Sequence, residues 1–260
     1  MKKQKKKQIL KNIPPWNAEE HINRSVRDMP PSGIRKYFDL VNEMKGAISL
    51  GVGEPDFVTP WHVREACIYS LELGNTHYTS NKGMPELREA ICKEVRKDRG
   101  MDYDSNDEIL ITTGVSEAVD LAFRATLNPG EEAVVPEPCY VAYTPDITLA
   151  GGVPKTVPTR LENEFRVQAE DIARAVTGKT RSLLLSYPNN PTGAIMTRSD
   201  LEELADVVVE NDLIVISDEV YAELSYGDGH TSFAELEGMK ERTIILNGLS
   251  KSHAMTGWRI

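Results

Sequence analysis

Short, uninterrupted apolar runs recur through this chain, spaced by stretches that carry helical periodicity. Ala133-Val134-Val135, Ser182-Leu183-Leu184-Leu185, Leu213-Ile214-Val215-Ile216-Ser217 and Thr243-Ile244-Ile245-Leu246 all have the length and composition of buried strands. Glu108 to Thr113 reads as a further strand ending at Gly114. Between the runs, Met84-Pro85-Glu86-Leu87 opens a helix with proline in its first turn. Leu87, Ile91 and Val95 then recur at i, i+4 and i+8, and Gly100 follows the end. Ser116 to Asn128 reads as a helix stopped by Pro129-Gly130, and Ser199 to Asn211 as an amphipathic one. Strand and helix alternating from about residue 60 onward predict an α/β fold with a mainly parallel sheet. In such sheets ligands sit beyond the carboxyl ends of the strands.

Charge and composition narrow the function. The formal net charge of -10 is unevenly spread, because residues 1–11 hold six lysines and no acid. The remainder carries 24 basic against 40 acidic residues, near -16. A body that acidic repels a phosphate backbone, so nucleic acid is not the expected partner, and the lysine run reads as a solvated, disordered tail. Lys11-Asn12 and Pro14-Pro15 interrupt any apolar segment behind those lysines, so no signal peptide is expected. No stretch approaches the 18 apolar residues of a membrane span. Cys67, Cys92 and Cys139 are odd in number and form no CxxC pair, which suits a reducing cytoplasm. The five histidines are scattered singly, so no metal site is expected.

The residues that carry chemistry follow the strands. Gly114-Val115-Ser116 lies between strand and helix, where free N–H groups and the helix dipole form an anion cup; an ordinary turn capped by Ser116 is the plainer alternative. Tyr187-Pro188-Asn189-Asn190-Pro191-Thr192-Gly193 holds two amides on a proline-stiffened loop, more than a simple β-turn requires. Asp218, in Ser217-Asp218-Glu219-Val220-Tyr221, falls at a strand end where a buried carboxylate needs a cation, unless it merely caps the junction. Tyr221 shares that space. Lys251, in Asn247-Gly248-Leu249-Ser250-Lys251, follows the last strand. Alone it would be a solvated charge; desolvated in a cleft it becomes a nucleophile for a carbonyl, forming a Schiff base. Arg259 follows eight residues later and is suited to a phosphate.

Together these strings resemble the class I/II aminotransferases of fold type I, the aspartate aminotransferase superfamily. The resemblance covers roughly residues 20–260. It includes Leu50-Gly51-Val52-Gly53-Glu54-Pro55-Asp56-Phe57, His77-Tyr78-Thr79-Ser80-Asn81-Lys82-Gly83, and Ser250-Lys251-Ser252-His253-Ala254-Met255-Thr256-Gly257-Trp258-Arg259-Ile260. It implies a three-layer αβα large domain that binds pyridoxal 5′-phosphate and exchanges amino groups between an amino acid and a 2-oxo acid by a ping-pong Schiff-base mechanism. By resemblance, Lys251 forms the imine and then moves protons, and Asp218 partners the pyridine nitrogen. Asn190 and Tyr221 donate to the ring oxygen, and Tyr140 stacks on the ring. Gly114, Val115, Ser116, Ser250 and Arg259 contact the phosphate. Tyr78 reaches the phosphate of a neighbouring subunit, which implies a homodimer. Gly53, Tyr140 and Asn190 face the substrate. The final string resembles the aspartate, alanine and acetyl-diaminopimelate members.

The resemblance implies three segments: a basic tail over 1–20, an amino-terminal arm or small-domain segment over 21–50, and an incomplete cofactor-binding domain over 51–260. Family members continue past the position of Ile260 with a further strand, long helices and a small domain bearing the arginine that clamps the substrate carboxylate; no residue here matches that arginine. The further strand lies between those at about 109–113 and 243–246, so its absence would leave two strands with unpaired backbone groups. The expectation is therefore a fragment, one half of a split protein, or a chain poorly stable alone. A β-lyase on the same fold and an inactive relic or interaction protein are the competing readings.

Overall fold

A computed structural model of the chain describes residues 16–31, 44, 46, 53–227 and 229–260. Most of the lysine tail and much of the 21–50 segment lie outside the described residues. Five strands form one sheet: β1 (Glu132–Glu137), β2 (Val153–Pro158), β3 (Thr180–Ser186), β4 (Ile214–Asp218) and β5 (Thr243–Leu246). They are ordered β2-β1-β3-β4-β5 and every neighbouring pair is parallel. The helices that cover the sheet or border the site are α1 (Trp61–Glu72), α2 (Pro85–Arg99), α3 (Gly114–Thr126), α4 (Tyr143–Leu149), α5 (Ala169–Ala175), α6 (Arg198–Glu210) and α7 (Leu249–Ser252), and a single turn, Arg24–Arg27, precedes them. Parallel strands require crossovers, and α4, α5 and α6 lie in those between consecutive strands from β1 to β4.

The apolar runs are continuous because the sheet is covered on both faces. Side chains alternate across a strand. Leu183, Leu185, Val215 and Val134 therefore point to one face, where Ile172 of α5 and Leu201, Leu204 and Val208 of α6 meet them. Leu184, Ile216, Ala133, Val135 and Leu246 point to the other, against Val119 and Phe123 of α3 and Ile147 of α4. Fully burying one such side chain contributes about 1.5–3 kcal/mol. The register aligns Ser186 with Asp218 and Asp218 with Leu246, so the chains leaving β3, β4 and β5 emerge side by side.

The α/β class, the parallel sheet and the layers match the expectation, with three differences in detail. Residues 109–113 form no strand, and Thr113, at φ -75° and ψ 65°, already turns into the next helix. Ile111 N–H donates instead to the Lys82 carbonyl at 3.1 Å, and among the described residues no strand pairs with the segment. Helix α3 starts at Gly114 rather than Ser116, with Thr113 as its N-cap. Strand β2, with proline near both ends and one buried residue, had no apolar run to mark it; proline is tolerated there because the strand is at the sheet edge.

Candidate active site

The carboxyl end of β4 delivers Asp218 into the interior, where it is 5% exposed. Its Oδ1 accepts from the Val220 N–H at 3.2 Å, and its Oδ2 from the Tyr143 hydroxyl at 2.7 Å. Burial pushes the carboxyl up to about 6; the Tyr143 and Val220 donors oppose that shift. Among the described residues no cation forms an ion pair with it. A buried acid in that state is complementary to a cationic ligand.

The loop after β3 stiffens itself through Asn189. Its Oδ1 accepts from the Thr192 N–H at 3.1 Å and the Thr192 hydroxyl at 2.8 Å, while its Nδ2 donates to the Ser186 carbonyl at 3.3 Å. Asn190 makes none of these loop bonds, and its amide lies close enough to the Tyr221 phenol to lower its pKa. Burial and the nearby Asp218 charge raise the Tyr221 phenol above its usual range, and the Asn190 amide counters them. The two asparagines thus divide the work: one holds the loop and the other serves the cleft.

Lys251 lies on α7, one short turn beyond β5. Its half-buried ammonium sits 5.7 Å from the Tyr221 ring centroid and donates to the Gly53 carbonyl. Desolvation lowers its pKa, Glu54 pulls the other way, and Arg259 adds a further lowering. This is an amine prepared for attack on a carbonyl.

The expected anion cup is formed by the start of α3. Gly114 has φ +72°, and a Cβ there would lie 2.7 Å from Nη2 of Arg259, so the guanidinium rests directly on this backbone. Arg259 itself has φ +61° and donates to the Thr256 carbonyl at 2.9 Å. Val115 abuts Gly248 from the β5 side, and Ser250 is buried at the head of α7. Ser116 lies in the first turn of α3. Free N–H groups, hydroxyls and a guanidinium at a helix N-terminus suit a phosphate.

Lys251, Asp218, Tyr221, Asn190, Tyr140, Gly53 and the 114–116, 250 and 259 positions therefore gather at the strand ends. Tyr78 does not join them: its side chain is fully exposed. Tyr143 was not anticipated. It lies three residues after Tyr140, across a turn in which the Tyr143 N–H donates to the Tyr140 carbonyl at 3.3 Å. The two rings meet edge to face at 5.5 Å and 79°.

A family model described as aminotransferase class I and II matches residues 45–260. The chain is 50% identical over 231 residues to an aspartate aminotransferase of Pyrococcus abyssi, covering 88% of this chain and 59% of that one. It is 49% identical to an aromatic-amino-acid aminotransferase of Thermococcus litoralis, with the same coverage. Among solved structures, the Thermus thermophilus aspartate aminotransferase with maleate superposes with a TM-score of 0.86 at 38% identity, covering 92% of this chain and 63% of that one. The chain thus spans about three-fifths of the length of the curated relatives it matches.

Proposed function

The chain belongs to the class I and II aminotransferases, and from that membership we propose that it transfers an amino group between an amino acid and a 2-oxo acid with pyridoxal 5′-phosphate as cofactor. The observation that carries this reading is the shared cleft of a desolvated amine at Lys251 and a buried carboxylate without a cation at Asp218. The residues present fit the group: among the described residues Asp218 has no cationic partner, and the Arg259 guanidinium rests on the Gly114 backbone at the start of a helix, a donor set suited to a phosphate.

When bound, the cofactor supplies an aldehyde for the amino group and a cationic ring that withdraws electrons from the substrate's α-carbon. The protein supplies the rest. Asp218 holds a proton on the ring nitrogen, and Tyr143 steadies that carboxylate. Asn190 and Tyr221 donate to the ring oxygen. Tyr140 covers one ring face. Gly114, Val115, Ser116, Ser250 and Arg259 hold the phosphate. Lys251 would hold the cofactor's aldehyde carbon and would carry a proton to and from the substrate's α-carbon; its lowered pKa keeps a larger share of it as free base near neutral pH. The backbone at Gly53 faces the substrate carboxylate.

A homodimer completes the proposal. No residue of α1 is buried, and Trp61, Ile68, Tyr69 and Leu71 are all more than half exposed, as is Tyr78. A second copy covering this surface would bring Tyr78 to the partner's phosphate cup. We assign residues 21–50 to an arm and 51–260 to the cofactor-binding domain. The cytoplasm is the proposed location, because Cys67, Cys92 and Cys139 are all free; no described helix is long and apolar enough to cross a membrane.

The test is a visible absorbance titration with pyridoxal phosphate, wild type against Lys251→Ala. A yellow band in the wild type alone supports the reading, and its absence from both sinks it. Pyruvate and ammonia released from a cysteine conjugate without any 2-oxo acid would point to a β-lyase instead.

A further inference from the structure

Thr59 is 195 residues from the turn it holds. Its hydroxyl donates to the Ala254 carbonyl at 2.6 Å and accepts from the Trp258 indole N–H at 3.1 Å. Both its proton and a lone pair are therefore used, and the residue is 6% exposed. Ala254 within the turn has φ +52° and Arg259 just after it φ +61°, so two non-glycine residues here occupy the left-handed region that side chains avoid. Such a conformation persists only where its surroundings impose it. One side of the turn is open to packing: Val58, Thr59, Arg64, Ala254, Gly257 and Trp258 line a cleft of about 550 Å³. Hydrogen bonds remain. Thr59 holds two of the turn's groups, Thr256 donates to Glu54 at 2.9 Å, and Lys251 donates to Gly53.

This turn separates the two cationic residues of the cleft, with Lys251 before it and Arg259 after it. We propose that Thr59 is a positioning residue for both, fixing the turn so that the Lys251 amine meets the Gly53 carbonyl while the Arg259 guanidinium rests on Gly114. The proposal rests on the aminotransferase reading for the meaning of those two side chains, and on the hydrogen bonds alone for the link between them. The side-chain hydrogen bonds of Thr59 go to Ala254 and Trp258, and none goes to Lys251 or Arg259.

The test compares Thr59→Val, which keeps the shape and removes the hydroxyl, with Thr59→Ser, which keeps the hydroxyl. The first readout is the pH midpoint for acetylation of Lys251 in the protein without cofactor, followed by mass spectrometry. The charges facing that amine are Glu54 and Arg259, and neither is altered. In Thr59→Val the loosened turn leaves Lys251 more hydrated, and the midpoint rises by about half a unit or more, a roughly threefold fall in reactive amine at pH 8. The second readout is affinity for pyridoxal phosphate, which weakens several-fold, and more than affinity for pyridoxal without phosphate. Thr59→Ser restores both. A Thr59→Val protein with the wild-type midpoint and affinity overturns the proposal, as does a Thr59→Ser protein perturbed as much as Thr59→Val. If Thr59→Val fails to fold by circular dichroism, Trp258→Phe decides: it deletes one bond to Thr59 and keeps a ring, so its midpoint must also rise. A wild type without a Lys251-dependent absorbance band would remove the functional reading and leave the acetylation result intact.

Discussion

The Tyr143 hydroxyl stands 2.7 Å from Oδ2 of Asp218 and 3.0 Å from Oγ of Ser186. It has one proton, and the carboxylate is the stronger acceptor. Tyr143 therefore donates to Asp218 and accepts from Ser186, which faces Asp218 across the β3–β4 register. The donor favours the ionised acid, while the same ring supports Tyr140 from its edge.

Tyr143→Phe should retain the fold, because the ring keeps its place in the core. A hydrogen bond to a charged group contributes about 1.5–3 kcal/mol. Part of that remains recoverable through Ser186, so we expect pyridoxal phosphate affinity to weaken by about tenfold with little change in melting temperature. Wild-type affinity in Tyr143→Phe would mean that Asp218 does not depend on this donor.

Asp218→Asn should stabilise the protein without cofactor. The folded-state pKa, near 6, lies above the unfolded value of about 3.9. The folded state thus binds a proton more tightly, and stability falls as pH rises from about 4 to about 6, leaving a cost on the order of 3 kcal/mol above that window. Denaturation at pH 8 should show the variant more stable by about 1–3 kcal/mol, with the gain vanishing near pH 4. With cofactor bound it should keep the yellow band, which depends on Lys251, and lose amino-group transfer, since asparagine cannot keep the ring nitrogen protonated. No gain at pH 8 would show that the burial cost is met by other means.

Gly114→Ala forces a side chain into the left-handed region, costing about 1–2 kcal/mol, and sets its Cβ against Arg259. The guanidinium can swing away, so the loss falls chiefly on phosphate binding. Isothermal titration should show a larger drop in affinity for pyridoxal phosphate than for pyridoxal. Equal drops would exclude the cup as the phosphate site.

Glu219→Gln should be the most damaging of these substitutions to stability. Glu219 is 1% exposed and accepts from Ser217 at 2.9 Å and Ser232 at 2.7 Å, with His230 Nε2 at 3.0 Å and Arg99 at 3.7 Å. Burial acts to raise its pKa, but His230, Ser232 and Arg99 outweigh it and hold the carboxyl below the usual range. Its stabilisation is therefore present at neutral pH and lost as pH falls below about 4. Removing one partner of a buried pair costs about 3–5 kcal/mol. Urea titration at pH 7 checks this, and a difference under about 1 kcal/mol would place the network among the weak, solvated pairs.

Much of the fold and site was legible because it is written locally. The runs at 133–135, 182–185, 213–216 and 243–246 became β1, β3, β4 and β5, since a run that is apolar at every position needs cover on both faces. The residues after them reached one edge because parallel strands in register end together. The segment at 109–113 had the same composition and formed no strand, because a ladder needs a neighbour as well as a propensity. Strand β2 formed without an apolar run, since an edge strand with proline needs little burial. Tyr143 and Thr59 carried no motif that set them apart.

By itself, then, the sequence determined the alternation of elements, the class of the sheet and the chemical types waiting at its strand ends. All three follow from side-chain period, turn chemistry and short-range order. Only the tertiary structure decided that Tyr143 serves Asp218 across 75 residues and that Thr59 holds the turn between Lys251 and Arg259 across 195. Those pairings depend on where whole elements pack, and a hydroxyl has no partner until the chain has brought one within about 3 Å.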